Sequence, residues 1–425
     1  MASSRTGSAS VYTPRVADAE LRRRLQAAGA VLIEGPKACG KTETARQVAR
    51  SEVRLDVDDE ARAAAALNPD LILPGNTPRL IDEWQVEPKI WNHVRRAVDE
   101  RRETGQFILA GSAQPADEAT RHTGAGRIGR LRLRPMSLFE AGVSNGATSL
   151  ATLLDGSGAQ AADPGLEFEQ LTGEIARGGW PGFRSLPLPD ALLRIRDYLE
   201  EVRRVDIRQA EGRRFDPARV ARLLSSLARN VATPVAASTL AADAGGGDGP
   251  LDEKTVALYL EALERVFVIE DQPAWGPHLR SRYRLRRSAK RHFVDPSLAV
   301  AAMGANVEGL LRDLNLLGLL FESLVIRDLR VHAQGLNGQV LYYQDNSGLE
   351  VDAIVESGDR WAAFEVKLGG EAAIEEAARN LTIFSRRVSS EQMGEPATLG
   401  VIVGTGYGYV REDGIRVIPI GALGP

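Results

Sequence analysis

Val31-Leu32-Ile33-Glu34-Gly35-Pro36-Lys37-Ala38-Cys39-Gly40-Lys41-Thr42-Glu43-Thr44 reads as an apolar strand, a glycine-bounded loop and the first turn of a helix. Gly35 and Gly40 let the backbone curl so that its N–H groups point inward, and the helix that follows adds its positive N-terminus. Such a loop cradles phosphate oxygens. Lys41 is then placed to reach the β- and γ-phosphates of a nucleoside triphosphate, and the Thr42 hydroxyl to ligate Mg²⁺. The expected binding segment is Gly35, Pro36, Lys37, Ala38, Cys39, Gly40, Lys41, Thr42 and Glu43, with ATP and Mg²⁺ as its ligands. Cys39 needs only to be small there and is given no catalytic role.

Phosphate-binding loops of this kind also serve kinases and transferases, so the next motif decides between them. Arg79-Leu80-Ile81-Asp82-Glu83-Trp84-Gln85 is a short apolar strand ending in two carboxylates. Asp82 is expected to hold Mg²⁺ through its water shell, and Glu83 to act as general base on the attacking water. A further strand, Phe107-Ile108-Leu109-Ala110-Gly111-Ser112, ends in a hydroxyl suited to sensing the γ-phosphate. Beyond it, Arg127 and Arg130 are candidates for an arginine finger, which would stabilise charge on the transferred phosphoryl group. On a strand Arg130, Arg132 and Arg134 share a face, and that face also reads as a solvated basic one.

Around these motifs, short apolar strands alternate with helical stretches from about residue 20 to 135, the pattern of a parallel α/β sheet. The expected organisation is a flexible tail (1–18), a P-loop core (19–143) and a turn-rich linker or insertion (144–165). A helical lid (166–215), a winged-helix-like region (216–300) and a C-terminal α/β domain (301–425) follow.

The C-terminal domain carries a second constellation. Glu350-Val351-Asp352 and Glu365-Val366-Lys367 lie on two alternating stretches joined by the short turn Glu356-Ser357-Gly358-Asp359, which predicts a hairpin. Period two puts Glu350 and Asp352 on one face, and Glu365 and Lys367 on one face of the partner strand. If the faces coincide, Glu350, Asp352, Glu365 and Lys367 converge as in a Mg²⁺-dependent phosphodiesterase, with Asp352, Glu365 and Glu322 as candidate metal ligands. A polar strand face with charge pairs has the same signature. Farther upstream, Arg280, Arg282, Arg284 and Arg286 alternate on one extended stretch. They fit a wing gripping nucleic-acid phosphates, or a charged edge strand that resists aggregation.

Composition narrows the class. Of 425 residues, 43% are hydrophobic and 26% charged, which is ordinary for a globular protein of several domains. One cysteine excludes a disulfide framework or a cysteine-cluster metal site. No run of eighteen apolar residues predicts a membrane span, and the start does not read as a signal peptide, so the cytoplasm is the expected compartment. Only six of the 53 basic residues are lysine, so each lysine invites a specific explanation.

Taken in order, these motifs resemble the bacterial AAA-type ATPases that carry a C-terminal domain of unknown function, number 4143. The resemblance is carried by Gly35–Thr42, Leu80–Glu83, Leu109–Ser112, Gly126-Arg127 with Arg134–Glu140, and Gly178-Gly179-Trp180-Pro181. Tyr198–Asp206, Leu258–Asp271, Lys290–Asp295, Gly318–Glu322, and Glu350-Val351-Asp352 with Glu365-Val366-Lys367 continue it. It implies ATP binding, a winged-helix middle and a restriction-endonuclease-like end. Trp84 departs from it, as do the long 141–165 and 244–250 segments. Two functions are expected. The first is an ATPase whose cycle controls a nucleic-acid-processing domain; the second is an ATP-switched regulatory or DNA-binding module whose nuclease-like domain does not cut. Homo-oligomers are compatible with either.

Overall fold

Ala30–Glu34 is apolar almost to its end and is buried because helices cover both faces of the sheet to which it belongs. In chain order the strands are β1 (Ala30–Glu34), β2 (Ser51–Arg54), β3 (Arg79–Asp82), β4 (Phe107–Gly111) and β5 (Ile128–Arg132). Every neighbouring pair is parallel, in the order β2-β3-β4-β1-β5. Parallel strands covered on both sides need near-continuous apolar sequence, which β1 and β4 supply. Trp84, Trp91, Val94 and Phe107 belong to one buried layer, and Leu21, Ile33, Leu80 and Leu131 to another. Since β4 lies between β1 and β3, all three carboxyl ends open on one edge. This is where a doubly covered parallel sheet binds its ligand.

The structure is a computed structural model that describes residues 12–111, 123–158, 163–206, 215–276 and 288–425. Ser112 and the arginines at 280, 282, 284 and 286 lie outside the described residues. No helix among the described residues is long and apolar enough to cross a membrane.

The tail expected over 1–18 is already part of the fold by residue 12. The Tyr12 hydroxyl donates to Asp18 at 2.6 Å. Buried Arg15 donates to the Cys39 carbonyl at 2.9 Å and the Arg134 carbonyl at 2.8 Å, and pairs with Glu140 at 3.1 Å. A guanidinium with five donors and a carboxylate partner holds this stretch where composition alone reads as loose.

After the sheet, the helices Pro217–Arg229, Ala237–Gly245 and Glu253–Arg265 lead into β7 (Ile269–Gln272) and β8 (Lys290–Phe293), which pair antiparallel. The long helix Leu314–Gly335 then precedes β9 (Gln339–Gln344), β10 (Glu350–Ser357), β11 (Arg360–Lys367), β12 (Thr398–Val403), β13 (Tyr409–Val410) and β14 (Arg416–Pro419). Their mixed sheet runs β13-β14-β12-β11-β10-β9. The β10–β11 hairpin closes at Ser357↔Arg360 over a two-residue turn.

Two expected boundaries change. Leu138, Leu223, Leu263, Leu298, Phe321 and Phe364 belong to one buried cluster that reaches Leu423, so 216–300 and 301–425 share a core. Within the expected linker, β6 (Thr148–Ser149) pairs in parallel with β15 (Leu423–Gly424), and the helix Leu150–Leu154 buries Leu150, Leu153 and Leu154. Three leucines at helical spacing outweigh turn-rich flanks.

One buried ion cluster ties these parts together. Arg327 donates to Asp295 Oδ2 at 2.8 Å, and to Asp328 Oδ1 from Nε and Nη2 at 2.9 and 2.7 Å. Asp295 also accepts the Gly179 N–H at 2.9 Å and the Ser297 hydroxyl at 2.6 Å, and Asp328 accepts the Leu138 N–H at 2.9 Å. Ser297 in turn accepts the Trp180 indole N–H at 3.0 Å. The Gly178-Gly179-Trp180-Pro181 and Lys290–Asp295 motifs thus meet in a structural node.

Candidate functional sites

The loop after β1 lies at the sheet edge described above. A Cβ at Gly35 would come within 2.1 Å of the Leu133 carbonyl oxygen, and Gly40 has φ +103, so both positions demand glycine. Lys41 opens the helix Lys41–Arg46 and turns its ammonium back over the loop, donating to the Gly35 and Pro36 carbonyls at 2.9 and 2.7 Å. Lys37 and Ala38 are exposed, Cys39 is buried, and Glu43 pairs with Arg46 at 2.5 Å.

The Thr42 hydroxyl donates to both carboxylate oxygens of Asp82, at 3.0 and 3.1 Å. Thr42 and Asp82 come from different strand ends, so this contact joins the two motifs in space. Burial pushes the Asp82 carboxyl up to about 6; the Thr42 hydrogen bond opposes this and Glu83 and Asp56 add to it. Glu83 follows at the tip of β3 in the left-handed region, φ 52 and ψ 42, and its carboxylate accepts a hydrogen bond from Gln85. A non-glycine residue held there stores strain of a kind that clusters at functional sites. A hydroxyl, a carboxylate and a loop ammonium on one edge fit Mg²⁺ and a triphosphate chemically.

The arginine candidates are placed differently from expectation. Arg127 immediately precedes β5, whose Ile128 pairs with Ala30 at the amino-terminal edge, away from the loop. There Arg127 Nε meets Asp99 at 2.9 Å. A strand parallel to β1 puts its first residue at the far edge, and Arg127 is not at this chain's own phosphate loop. Arg130 pairs with Glu34 at 2.9 Å and lies 5.7 Å from the Trp91 ring centroid. Arg130, Arg132 and Arg134 do share a face, which lines an interdomain cavity of about 490 Å³. Among its carboxylates is Glu270 of β7, paired with Arg134 at 2.6 Å, Arg132 at 3.6 Å and Arg330 at 3.7 Å. Those three arginines hold the Glu270 carboxyl well below the ordinary range despite its burial.

In the C-terminal sheet, Asp352 and Glu365 lie on adjacent strands. Asp352 Oδ2 accepts the Val366 N–H at 2.8 Å, and Lys367 pairs with Glu365 at 3.0 Å. Glu350, Asp352, Glu365 and Lys367 line a pocket of about 470 Å³ with Asn380 and Arg387. The β9–β10 register shifts between Val351 and Ile354, a bulge that frees the Asp352 carbonyl. Gln272 of β7 fills it, donating to that carbonyl at 2.9 Å and to the Leu341 carbonyl at 3.0 Å. Burial raises the carboxyls of both Glu322 and Glu365, Asp352 adding to each.

Lys290, which the motif reading left out of the site, stands among these acids. Its ammonium lies 2.7 Å from Glu322, 2.5 Å from Glu350 and 3.5 Å from Asp352. The expected metal set of Glu322, Asp352 and Glu365 is accordingly corrected. Among the described residues no group of three His, Cys, Asp or Glu side chains is arranged to hold a metal ion. Glu322 turns to the lysine instead. The scarcity of lysine in the chain, and its place at the head of the Lys290–Asp295 motif, were the sequence signals that could have found Lys290.

Comparison with known proteins matches three successive stretches of the chain. Residues 27–142 match an AAA domain, residues 168–309 a domain of unknown function (DUF8612), and residues 317–423 a domain of unknown function (DUF4143). An uncharacterised protein of Mycobacterium tuberculosis and one of Mycobacterium bovis are each 27% identical over 379 residues, covering 87% of this chain and 77% of theirs. Among solved structures, a Walker-type ATPase of Pyrococcus abyssi has a TM-score of 0.41 at 14% identity, covering 68% of this chain and 96% of that one. The ORC1 protein of Aeropyrum pernix, in complex with DNA, has a TM-score of 0.28 at 15% identity, covering 71% and 96%. By its matched domains, the chain carries an AAA domain followed by two domains of unknown function, DUF8612 and, at its C-terminal end, DUF4143.

Proposed function

We propose that the chain binds ATP with Mg²⁺ at the Gly35–Thr42 loop and hydrolyses it, and that this cycle acts on its middle and C-terminal parts. The observation that carries the reading is the Thr42–Asp82 contact beside the Lys41 ammonium, because it brings the two halves of a hydrolytic nucleotide site to one sheet edge. Lys41 would neutralise the β- and γ-phosphates, Thr42 and Asp82 are the residues that would hold Mg²⁺, and Glu83 would take the proton of the attacking water. Mg²⁺, when bound, would supply neutralisation of the phosphate charge. Glu83→Gln is expected to retain ATP affinity by calorimetry and to lower phosphate release at least about a hundredfold. If Asp82→Asn behaves that way and Glu83→Gln does not, the two carboxylate roles are reversed.

For the C-terminal domain, the Lys290 contacts favour the second expected function, an ATP-switched module whose nuclease-like cluster is not poised to cleave. The partner fitted by the alternating arginines of 280–286 is a nucleic acid. Replacing Arg280, Arg282 and Arg284 together should weaken DNA binding and flatten its log–log salt dependence by about 0.7–0.9 per lost contact. An unchanged slope in a filter-binding titration would assign these arginines to a solvated edge.

A further inference from the structure

Three acidic side chains from two elements, Glu322 on the long helix and Glu350 and Asp352 on β10, meet on one nitrogen. That nitrogen belongs to neither element. Lys290 reaches it from β8, with its side chain 2% exposed and its ammonium 5.6 Å from the Tyr342 ring centroid. Burying an ammonium this deeply is tolerated where opposite charges surround it, and here three acidic side chains lie within 3.5 Å of the nitrogen. Lys367 is different, being partly exposed, paired with Glu365, and part of the lining of the open pocket.

An ammonium offers three N–H donors and one positive charge from a single point. A divalent cation bound by the same acids would need their oxygens at roughly 2.0–2.6 Å from a common centre. The two cations therefore compete for one place. We infer that Lys290 is the resident cation of this carboxylate cluster, and that its ammonium and a divalent metal exclude each other from it. The inference deepens the reading of a nuclease-like domain not poised to cleave, and it does not depend on ATP hydrolysis.

The lysine's setting also says what would have to move to release it. In the β7–β8 ladder Lys290 lies opposite Gln272 and His292 lies opposite Glu270. Gln272 is bonded into the β10 bulge, and Glu270 is gripped by Arg132 and Arg134 at the edge of the ATPase sheet. The helix carrying Glu322 is tied to β7 through Arg330, which pairs with Glu270 at 3.7 Å, and to the same edge through Gln334, which accepts from Arg134 at 2.8 Å and donates to the Arg132 carbonyl at 2.8 Å. Both members of the Lys290–Glu322 pair are thus anchored to β5, and a shift of β7–β8 against β10 is the motion that would withdraw the ammonium.

The test is Mn²⁺ titration of the full chain without nucleotide, read by electron paramagnetic resonance. It compares wild type, Asp352→Asn, Lys290→Met, and the Lys290→Met/Asp352→Asn double variant. Any weak Mn²⁺ binding at the nucleotide loop is common to all four and cancels. Wild type should show no Mn²⁺ binding that Asp352→Asn removes. Lys290→Met should gain one site, at least about tenfold tighter than any such binding in wild type, and the double variant should lose it. Two results overturn the inference: Asp352-dependent Mn²⁺ binding by wild type, or no gain in Lys290→Met. Should Lys290→Met fail to fold in metal-free buffer, Mn²⁺ should restore its Tm but not that of the double variant, by linkage. Failure of Mn²⁺ to restore it counts equally against the inference.

Discussion

Lys41→Ala is expected to abolish tight ATP binding, weakening affinity at least about a hundredfold, while the fold survives. The side chain is held back across the loop by the Gly35 and Pro36 carbonyls, so its ammonium is already at the loop before any phosphate arrives. No other described cation substitutes for it. Lys37 is exposed at the loop's outer side, and Arg15 supports the loop from behind through the Cys39 carbonyl and Glu140. Hydrogen bonds to charged groups contribute about 1.5–3 kcal/mol each, and the lysine is expected to make more than one to a triphosphate. The loop's own geometry, set by Gly35 and Gly40 and by the apolar layers beneath, does not use the ammonium. Calorimetric titration with ATP and a thermal melt of the same protein decide the matter. Unchanged affinity with an unchanged melt would remove the nucleotide-site reading, and with it the roles given to Thr42, Asp82 and Glu83.

What could be read in advance were features whose residues are close in sequence or share a period. The loop from Gly35 to Thr42 is contiguous, and the strand ending in Asp82 and Glu83 is recognisable from four apolar-rich residues and a turn. The pairing of Glu350 with Asp352, and of Glu365 with Lys367, follows from the two-residue repeat of a strand. What escaped were contacts across the chain. Lys290 is 32 residues from Glu322 in sequence and belongs to a different strand pair, and nothing local marks it as their partner. Glu270 meets Arg134 across 136 residues. Arg127 lies away from this chain's own phosphate loop for a topological reason. Alternation shows which face a residue takes, but not which end of the sheet it reaches, and β5 runs parallel to β1. The tail and linker erred in the opposite sense, because composition describes a segment's own preferences and not the partners that capture it. Arg15 finds Glu140, and Leu150, Leu153 and Leu154 find the C-terminal core.

The same long-range logic predicts the largest stability effect, at Arg327. Asp295, Arg327 and Asp328 are all nearly inaccessible to solvent, and their remaining acceptors are filled by Gly179, Ser297 and Leu138. The two neighbouring acids hold the Arg327 guanidinium charged against its burial. Replacing both ends of such a cluster by apolar groups can be nearly neutral, but removing one end leaves charge that neither solvent nor protein compensates. Arg327→Met keeps much of the volume and strands two carboxylates, so a loss of about 3–5 kcal/mol is expected. Against a whole stability of roughly 5–15 kcal/mol, that is a large fraction. The loss should appear as a lower urea midpoint for the transition that unfolds the shared middle and C-terminal core. Adding Asp295→Asn and Asp328→Asn to Arg327→Met should recover part of it, since the penalty arises from uncompensated charge and not from lost packing. That partial recovery also serves as the readout if Arg327→Met alone does not fold. A loss below about 1 kcal/mol, or no recovery in the triple variant, would show that the node is not the junction holding Leu138, Gly179, Asp295 and the long helix together.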